Sequence, residues 1–285
     1  MDAELSRRYL HAMGVPVWRL RNATADTEEP PAAPPPTLQG DAMASESAAP
    51  SEIGVEPLPQ AASDVHPDNE IAGMDWDCLS AAVSACRACE QLCATRTQTV
   101  FGVGNRQAEL MIVGEAPGAD EDRQGEPFVG RAGQLLNLML AAIGLAREQV
   151  FIANILKCRP PQNRDPRPEE ALCCTPYLMR QITLVQPRVL LSVGRISAQN
   201  LLATDSPIGR LRGRWFEFGP DGIPLTVTYH PAYLLRSPEQ KAKAWQDLIK
   251  VAHRLRETAE DTDARTVDRV GDAGTPRENQ GLHNP

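Results

Sequence analysis

No run of about 18 apolar residues occurs in this 285-residue chain, so a hydrophobic membrane-spanning helix is not expected. Between Met1 and Leu20 there is no apolar core followed by a small-residue cleavage site, so a secretory leader is not expected either. A cytoplasmic protein is expected, and there seven cysteines point to metal ligands or free thiols, not disulfides. Apolar residues are scarce from Asn22 to about Asn69, where proline, alanine, serine and acidic residues dominate. Pro30, Pro31, Pro34, Pro35 and Pro36 exclude regular structure there, and too little apolar surface exists to offset ordering entropy.

The formal net charge of −8 is unevenly spread. Between Asp75 and Lys250 there are 20 lysines and arginines against 18 aspartates and glutamates, while the flanks hold 9 against 19. The acidity sits in the flanks. The slightly basic, arginine-rich centre is compatible with a phosphate-backbone partner and equally with an ordinary solvated surface.

Apolar periodicity divides the chain into a short amphipathic segment over 1–22, a linker over 23–74, one domain over 75–256, and a tail over 257–285 without expected structure. Within the domain, helical patterns over Asp75–Cys93, Ala132–Ile143, Pro168–Val185, Ile196–Leu202 and Pro238–Arg254 alternate with strand patterns. The strands are Leu110–Val113, Val150–Ala153, Val189–Val193, Trp215–Phe218 and Leu225–Thr228, with a Gly-Pro-Asp-Gly turn over 219–222. This alternation implies an α/β fold, a three-layer sandwich around a central, largely parallel four-stranded sheet. Ligands of open parallel sheets bind at the carboxyl ends of the strands. Gly114 to Gly118, Asn154, Gly194 and His230-Pro231 are therefore expected to converge on one crevice.

Cys86-x-x-Cys89, with Cys158 and Cys174 downstream, has the make-up of a four-thiolate site. Spacing alone does not separate zinc from an iron–sulfur cluster, nor does chemistry alone choose between Cys173 and Cys174. Arg159, Arg164 and Arg167 lie in the loop that such a site would pin.

Five motifs then stand in order: Cys86-Arg-Ala-Cys89; Gly114-Glu115-Ala116-Pro117-Gly118 running on to Glu121; Gly125-Glu-Pro-Phe128-Val-Gly130; Asn154-Ile-Leu-Lys-Cys158-Arg-Pro-Pro; and His230-Pro-Ala-Tyr-Leu234-Leu-Arg236. Together they resemble the family 4 uracil-DNA glycosylases, the iron–sulfur members of the uracil glycosylase superfamily, over about residues 80–250. The resemblance implies a monomeric hydrolase of base-excision repair. It would flip deoxyuridine out of DNA and hydrolyse its N-glycosidic bond, leaving an abasic site. It also implies a [4Fe–4S] cluster on Cys86, Cys89, Cys158 and Cys174, the last chosen because the family's fourth ligand stands sixteen positions after the third and just before Pro-Tyr-Leu.

The chemistry assigns tasks to residue types. Phe128 is expected to stack on the flipped base, and the Asn154 amide to offer a donor and an acceptor to uracil O4 and N3–H. His230 is expected to donate to uracil O2 as charge develops, with the backbone around Gly114, Glu115 and Ala116 assisting. A carboxylate is wanted near the cationic sugar. Glu115, Asp120, Glu121 and Asp122 are candidates, and the resemblance favours Glu121 with Glu115 in support. Ala116 fills the slot that holds an aspartate in the better-known branch of the superfamily. Leu234 or Leu235 is expected to wedge into the stack, with Arg236 on phosphate and Arg131 at a helix start that also offers one.

Residues 7–21, Arg-Arg-Tyr-Leu-His-Ala-Met-Gly-Val-Pro-Val-Trp-Arg-Leu-Arg, are similar to the N-terminal peptide of the psi subunit of the bacterial replicative clamp loader, which docks on the chi subunit. Docking on a chi-like partner through a long tether, and packing on the chain's own core, are the two expectations for this segment. Three other functions compete: a catalytically silent replication scaffold, a glycosylase for another deaminated base such as hypoxanthine, and a zinc protein acting on nucleotides.

Overall fold

The computed structural model describes the backbone over residues 67–271 and side chains over 70–257, with Arg7, Leu10, His11 and Gly14 ahead of them. The expected linker up to residue 66, the end of the expected tail beyond residue 271, and Tyr9, Met13, Val15 and Trp18 lie outside the described residues.

Helices α1 (Pro67–Ala72), α2 (Trp76–Ala85) and α3 (Glu90–Thr95) precede strands β1 (Val103–Gly104) and β2 (Leu110–Gly114). Then come α4 (Ala119–Gln124), α5 (Arg131–Ala142), β3 (Phe151–Asn154), α6 (Pro168–Val185), β4 (Val189–Val193), α7 (Arg195–Leu201) and α8 (Ile208–Leu211). Strands β5 (Trp215–Phe218) and β6 (Ile223–Thr228) and helices α9 (Pro231–Arg236) and α10 (Lys241–Gly271) follow within the described residues.

The sheet order is β1-β3-β2-β4-β6-β5. The four central strands are mutually parallel, as the alternating pattern requires, and an antiparallel strand closes each edge. Because helices cover both faces, β2, β3 and β4 are buried at every position and read as continuous apolar runs. Successive residues still divide by face: Leu110 and Ile112 pack with α5 and α10, Met111 and Val113 with α6. Leu10 is 8% exposed and belongs to the same apolar cluster as Leu234 and Leu248.

Two helices differ from the periodic reading. The segment expected as one helix over Asp75–Cys93 breaks at the Cys86-x-x-Cys89 corner, where Cys86 (φ −58°, ψ 134°) and Cys89 (φ −110°, ψ 95°) leave helical geometry. Apolar periodicity does not register such a corner, because α2 and α3 bury Leu79, Val83 and Leu92 at helical spacing on either side of it. Helix α10 begins after a 3₁₀ turn at Pro238–Gln240 and runs to Gly271, into the segment expected as tail. Among the described residues no helix is long and apolar enough to cross a membrane.

Candidate active site

The carboxyl ends of β2, β3 and β6 open on a cavity of about 420 Å³, bordered among others by Glu115, Ala116, Phe128, Asn154, His230 and Arg236. Gly114 ends β2, and a Cβ there would stand 2.3 Å from Asn154 Oδ1 and 2.7 Å from the Phe128 ring. The missing side chain is what lets an amide and an aromatic ring meet at the strand's end.

Phe128 is 6% exposed and sits at φ +55°, a left-handed conformation that costs a bulky residue about 1–3 kcal/mol. The surroundings hold it there. Arg147 donates to the carbonyls of Pro127 (2.6 Å) and Phe128 (3.3 Å). Glu121 Oε1 accepts from the N–H groups of Val129 (3.0 Å) and Gly130 (3.2 Å), and its Oε2 accepts from Gly118 N–H (3.1 Å). Gly133 gives the turn room, since a Cβ there would lie 1.7 Å from the Phe128 carbonyl oxygen.

Asn154 is 2% exposed, and its Oδ1 has no hydrogen-bond partner. A buried acceptor without a donor costs about 1–3 kcal/mol, a cost that a ligand N–H removes. Lys157, also buried, donates to the Asn154 carbonyl (2.9 Å) and to Gln181 Oε1 (2.7 Å), and Gln181 in turn donates to the Phe101 carbonyl (2.9 Å).

His230 caps α9. Its Nδ1 accepts from Ala232 N–H (3.1 Å), which leaves the proton on Nε2. Burial, followed by the charge of Arg236, pulls the imidazole down to about 4, so the ring is neutral at neutral pH. Its plane lies 29° from that of Phe128 with centroids 5.5 Å apart. Gly194, at φ +101°, lets it approach: a Cβ there would be 3.0 Å from His230 Cβ.

The four acidic candidates separate. Burial, then the neighbouring charge of Asp165, pushes the Glu115 carboxyl up to about 7, with Arg195 opposing. Glu121 borders the cavity with both oxygens engaged. Asp120 pairs with Arg123, and the buried Asp122 accepts Thr97 N–H with both oxygens (2.9 and 3.0 Å); neither borders the cavity. Asp165, paired with Arg195 at 2.7 Å, borders it and was not expected. Its only sequence signal is a place among the arginines that follow Cys158.

Helix α9 corrects one expectation. Leu234 is 1% exposed and packs in the core, so it is not available to a DNA stack. The helical turn points Leu235 and Tyr233 outward instead, each 36% exposed. Arg236 is exposed at the cavity rim. Arg131 is exposed at the start of α5, but the Gly130 N–H that opens this helix is taken by Glu121.

Six of the cysteines, all but Cys78, interact with one another around Cys158 and Cys174. Cys158 and Cys174 are buried, Cys86, Cys89 and Cys93 half-buried, and Cys78 and Cys173 exposed. Burial, then Cys173, Cys174 and Cys158, pushes the Cys89 thiol up to about 12. Burial likewise pushes Cys174 up to about 11, with Cys158 and Cys86 adding to it and the Lys157 N–H opposing. Arg96 donates to Cys158 Sγ and to the Cys86 carbonyl, each at 2.6 Å. Among the described residues no three histidine, cysteine or carboxylate side chains could hold a single metal ion. The donor set suits a multinuclear centre, which takes one thiolate per metal and spreads its ligands: the buried Cys158 and Cys174 interact with each other, with Cys86 and with Cys89, beside N–H donors and with Cys93 and Cys173 close by.

Residues 101–249 match the family model described as the uracil DNA glycosylase superfamily. That match begins after Cys86 and Cys89. The chain is 47% identical over 175 residues to the type-4 uracil-DNA glycosylase of Archaeoglobus fulgidus, covering 59% of this chain and 87% of that one. It is 42% identical over 186 residues to the type-4 uracil-DNA glycosylase of Saccharolobus solfataricus (63% and 86%) and 41% over 160 residues to that of Thermotoga maritima (56% and 82%).

Proposed function

The chain belongs to the uracil DNA glycosylase superfamily, and from that premise we propose how its pocket removes uracil from DNA. Its function is that of a uracil-DNA glycosylase, a hydrolase of the N-glycosidic bond. The flipped base enters the cavity and stacks on Phe128. Asn154 Oδ1 accepts the uracil N3–H while its Nδ2 donates to O4. Cytosine offers an acceptor and a donor at those two positions, the reverse pattern. The partnerless Asn154 Oδ1 beside an aromatic face is the observation that carries this reading.

As the bond breaks, negative charge gathers on uracil O2. The Nε2–H of a neutral His230 donates to it, in the manner of an oxyanion hole. Glu115 takes a proton from the water that attacks the sugar, since its carboxyl is poised near 7. Glu121 supports the same reaction by fixing the loop that carries Phe128. Arg236 and Leu235 meet the DNA around the vacated position.

Cys86, Cys89, Cys158 and Cys174 would hold a [4Fe–4S] cluster in this reading, and bound there it would cross-link the α2–α3 corner, the segment after β3, and α6. The likeness of residues 7–21 to the psi peptide supports docking on a clamp-loader chi-like subunit. Burial of Leu10 in the chain's own core favours the rival role, and a pull-down with and without residues 1–22 separates them.

The main test is incubation with a uracil-containing oligonucleotide, followed by alkaline cleavage of abasic sites. Strand breaks are expected only with uracil, and not with the His230→Ala variant. No breaks from cluster-loaded protein would overturn the assignment.

A further inference from the structure

Beyond the pocket, the crest of the sheet carries a second feature. Strand β5 runs antiparallel to β6 with Trp215 opposite Thr226, so the segment Arg212-Gly213-Arg214 before it lies at the same sheet end as His230. The segment is held from below. Arg212 donates to both oxygens of the buried Asp247 (3.1 and 2.9 Å) and to the Lys243 carbonyl (2.6 Å). Asp247 also accepts from Thr228 Oγ1 (2.9 Å), and Lys250 donates to the Gly213 carbonyl (2.6 Å). Thr228 ends the strand that leads into His230, so one buried carboxylate ties this segment to the catalytic edge.

Ring contacts lead from the cavity to Arg212, three residues before Trp215. Tyr233, which borders the cavity, lies 5.2 Å from Tyr229. The Arg212 guanidinium lies 5.4 Å over the Tyr229 ring, and that of Arg254 lies 6.0 Å over Trp215. Trp215 is 39% exposed, one of four exposed large apolar side chains among the described residues. Arg214, which precedes it and lies 5.5 Å over the Phe216 ring, is exposed, as are Lys250 and Arg254; Arg254 also pairs with Glu257 at 4.0 Å, and Asp247 is spent on Arg212. An exposed ring beside cations, at the same sheet end as a base-flipping pocket, has the chemistry that recognises unpaired nucleotides: π-faces for bases and guanidinium groups for phosphates.

We propose that the strip from Tyr233 through Tyr229 to Trp215, edged by Arg214, is a binding track for unpaired nucleotides flanking the flipped base. The proposal rests on the glycosylase reading for its direction along the strand. Its test uses thymidine oligonucleotides without uracil, about 4 and about 16 nucleotides long, so that binding is read independently of excision.

The intact chain is expected to bind the longer oligonucleotide more tightly than the shorter. Trp215→Ala is expected to weaken the longer complex roughly tenfold, leave the shorter unchanged and leave the salt dependence unchanged. Arg214→Ala is expected to lower the salt slope by about one. Thermal melting of both variants at the wild-type temperature shows that the fold is intact. Equal affinity of Trp215→Ala and wild type for the longer oligonucleotide overturns the track. So does wild type binding both lengths alike. Excision of uracil from a short oligonucleotide is scored separately, so failure of the catalytic reading is distinguishable from failure of this one.

Discussion

The rings of Phe128 and His230 lie 29° apart in plane with centroids 5.5 Å from each other, and each rests against a glycine at a strand end: Phe128 against Gly114, His230 against Gly194. The stack that faces the flipped base is therefore set by two positions without side chains. Gly114→Ala places a methyl into Asn154 Oδ1 and the Phe128 ring, and overpacking of this kind costs about 1–3 kcal/mol. Excision is expected to fall about a hundredfold with a modest drop in melting temperature. Steady-state kinetics on a uracil oligonucleotide, alongside a thermal melt, check both.

His230 makes a prediction about pH. An imidazole at its ordinary value would give a kinetic limb near pH 6.5, but burial pulls this one to about 4. No His230 limb is expected between pH 5 and 8. His230→Ala is expected to lower kcat by about 10²–10³, the loss typical of one oxyanion donor. Single-turnover rates across that range measure the profile and the loss together.

Glu115 supplies the limb that His230 does not. A base must be unprotonated, so excision is expected to rise with pH through about 7 and level off above it. The stability effect has the opposite sign. The folded carboxyl keeps its proton to about 7, while the unfolded one releases it near 4.5, so stability falls as pH rises through that window. Glu115→Gln is expected to lose activity, to melt about 2–5 °C above wild type at pH 8, and to match it at pH 4.

Cys173 and Cys174 are neighbours with different surroundings: Cys174 is buried among the other thiols, Cys173 exposed. Iron content per chain is expected to collapse in Cys174→Ser and to stay near wild type in Cys173→Ser. Iron analysis of the purified variants reads this without reference to activity.

Much of this arrangement is legible in the sequence, because the residues at strand ends in a parallel sheet are constrained by the sheet itself. Leu110–Val113, Val150–Ala153 and Val189–Val193 are apolar runs ended by glycine or asparagine, and the crest residues follow directly. What stays hidden depends on contacts distant in sequence. Periodicity cannot show that Leu234 faces inward and Leu235 outward, since the choice is made by packing against α5 and α10. Nor can it show that Glu121 spends its oxygens on three backbone N–H groups, or that Asp165 is brought to Glu115 by the turn after Cys158. The break at Cys86–Cys89 and the two-residue strand β1 are equally silent, because neither interrupts the apolar spacing on its flanks.

Asn154 and Cys158 are separated by three residues, and one of these, Lys157, holds the Asn154 carbonyl from within the core. Base reading and the thiol corner thus share a single short peptide. Disturbance of the thiol corner is therefore expected to reach the base-reading amide through Lys157, so that a change made among the cysteines is felt at the choice of base.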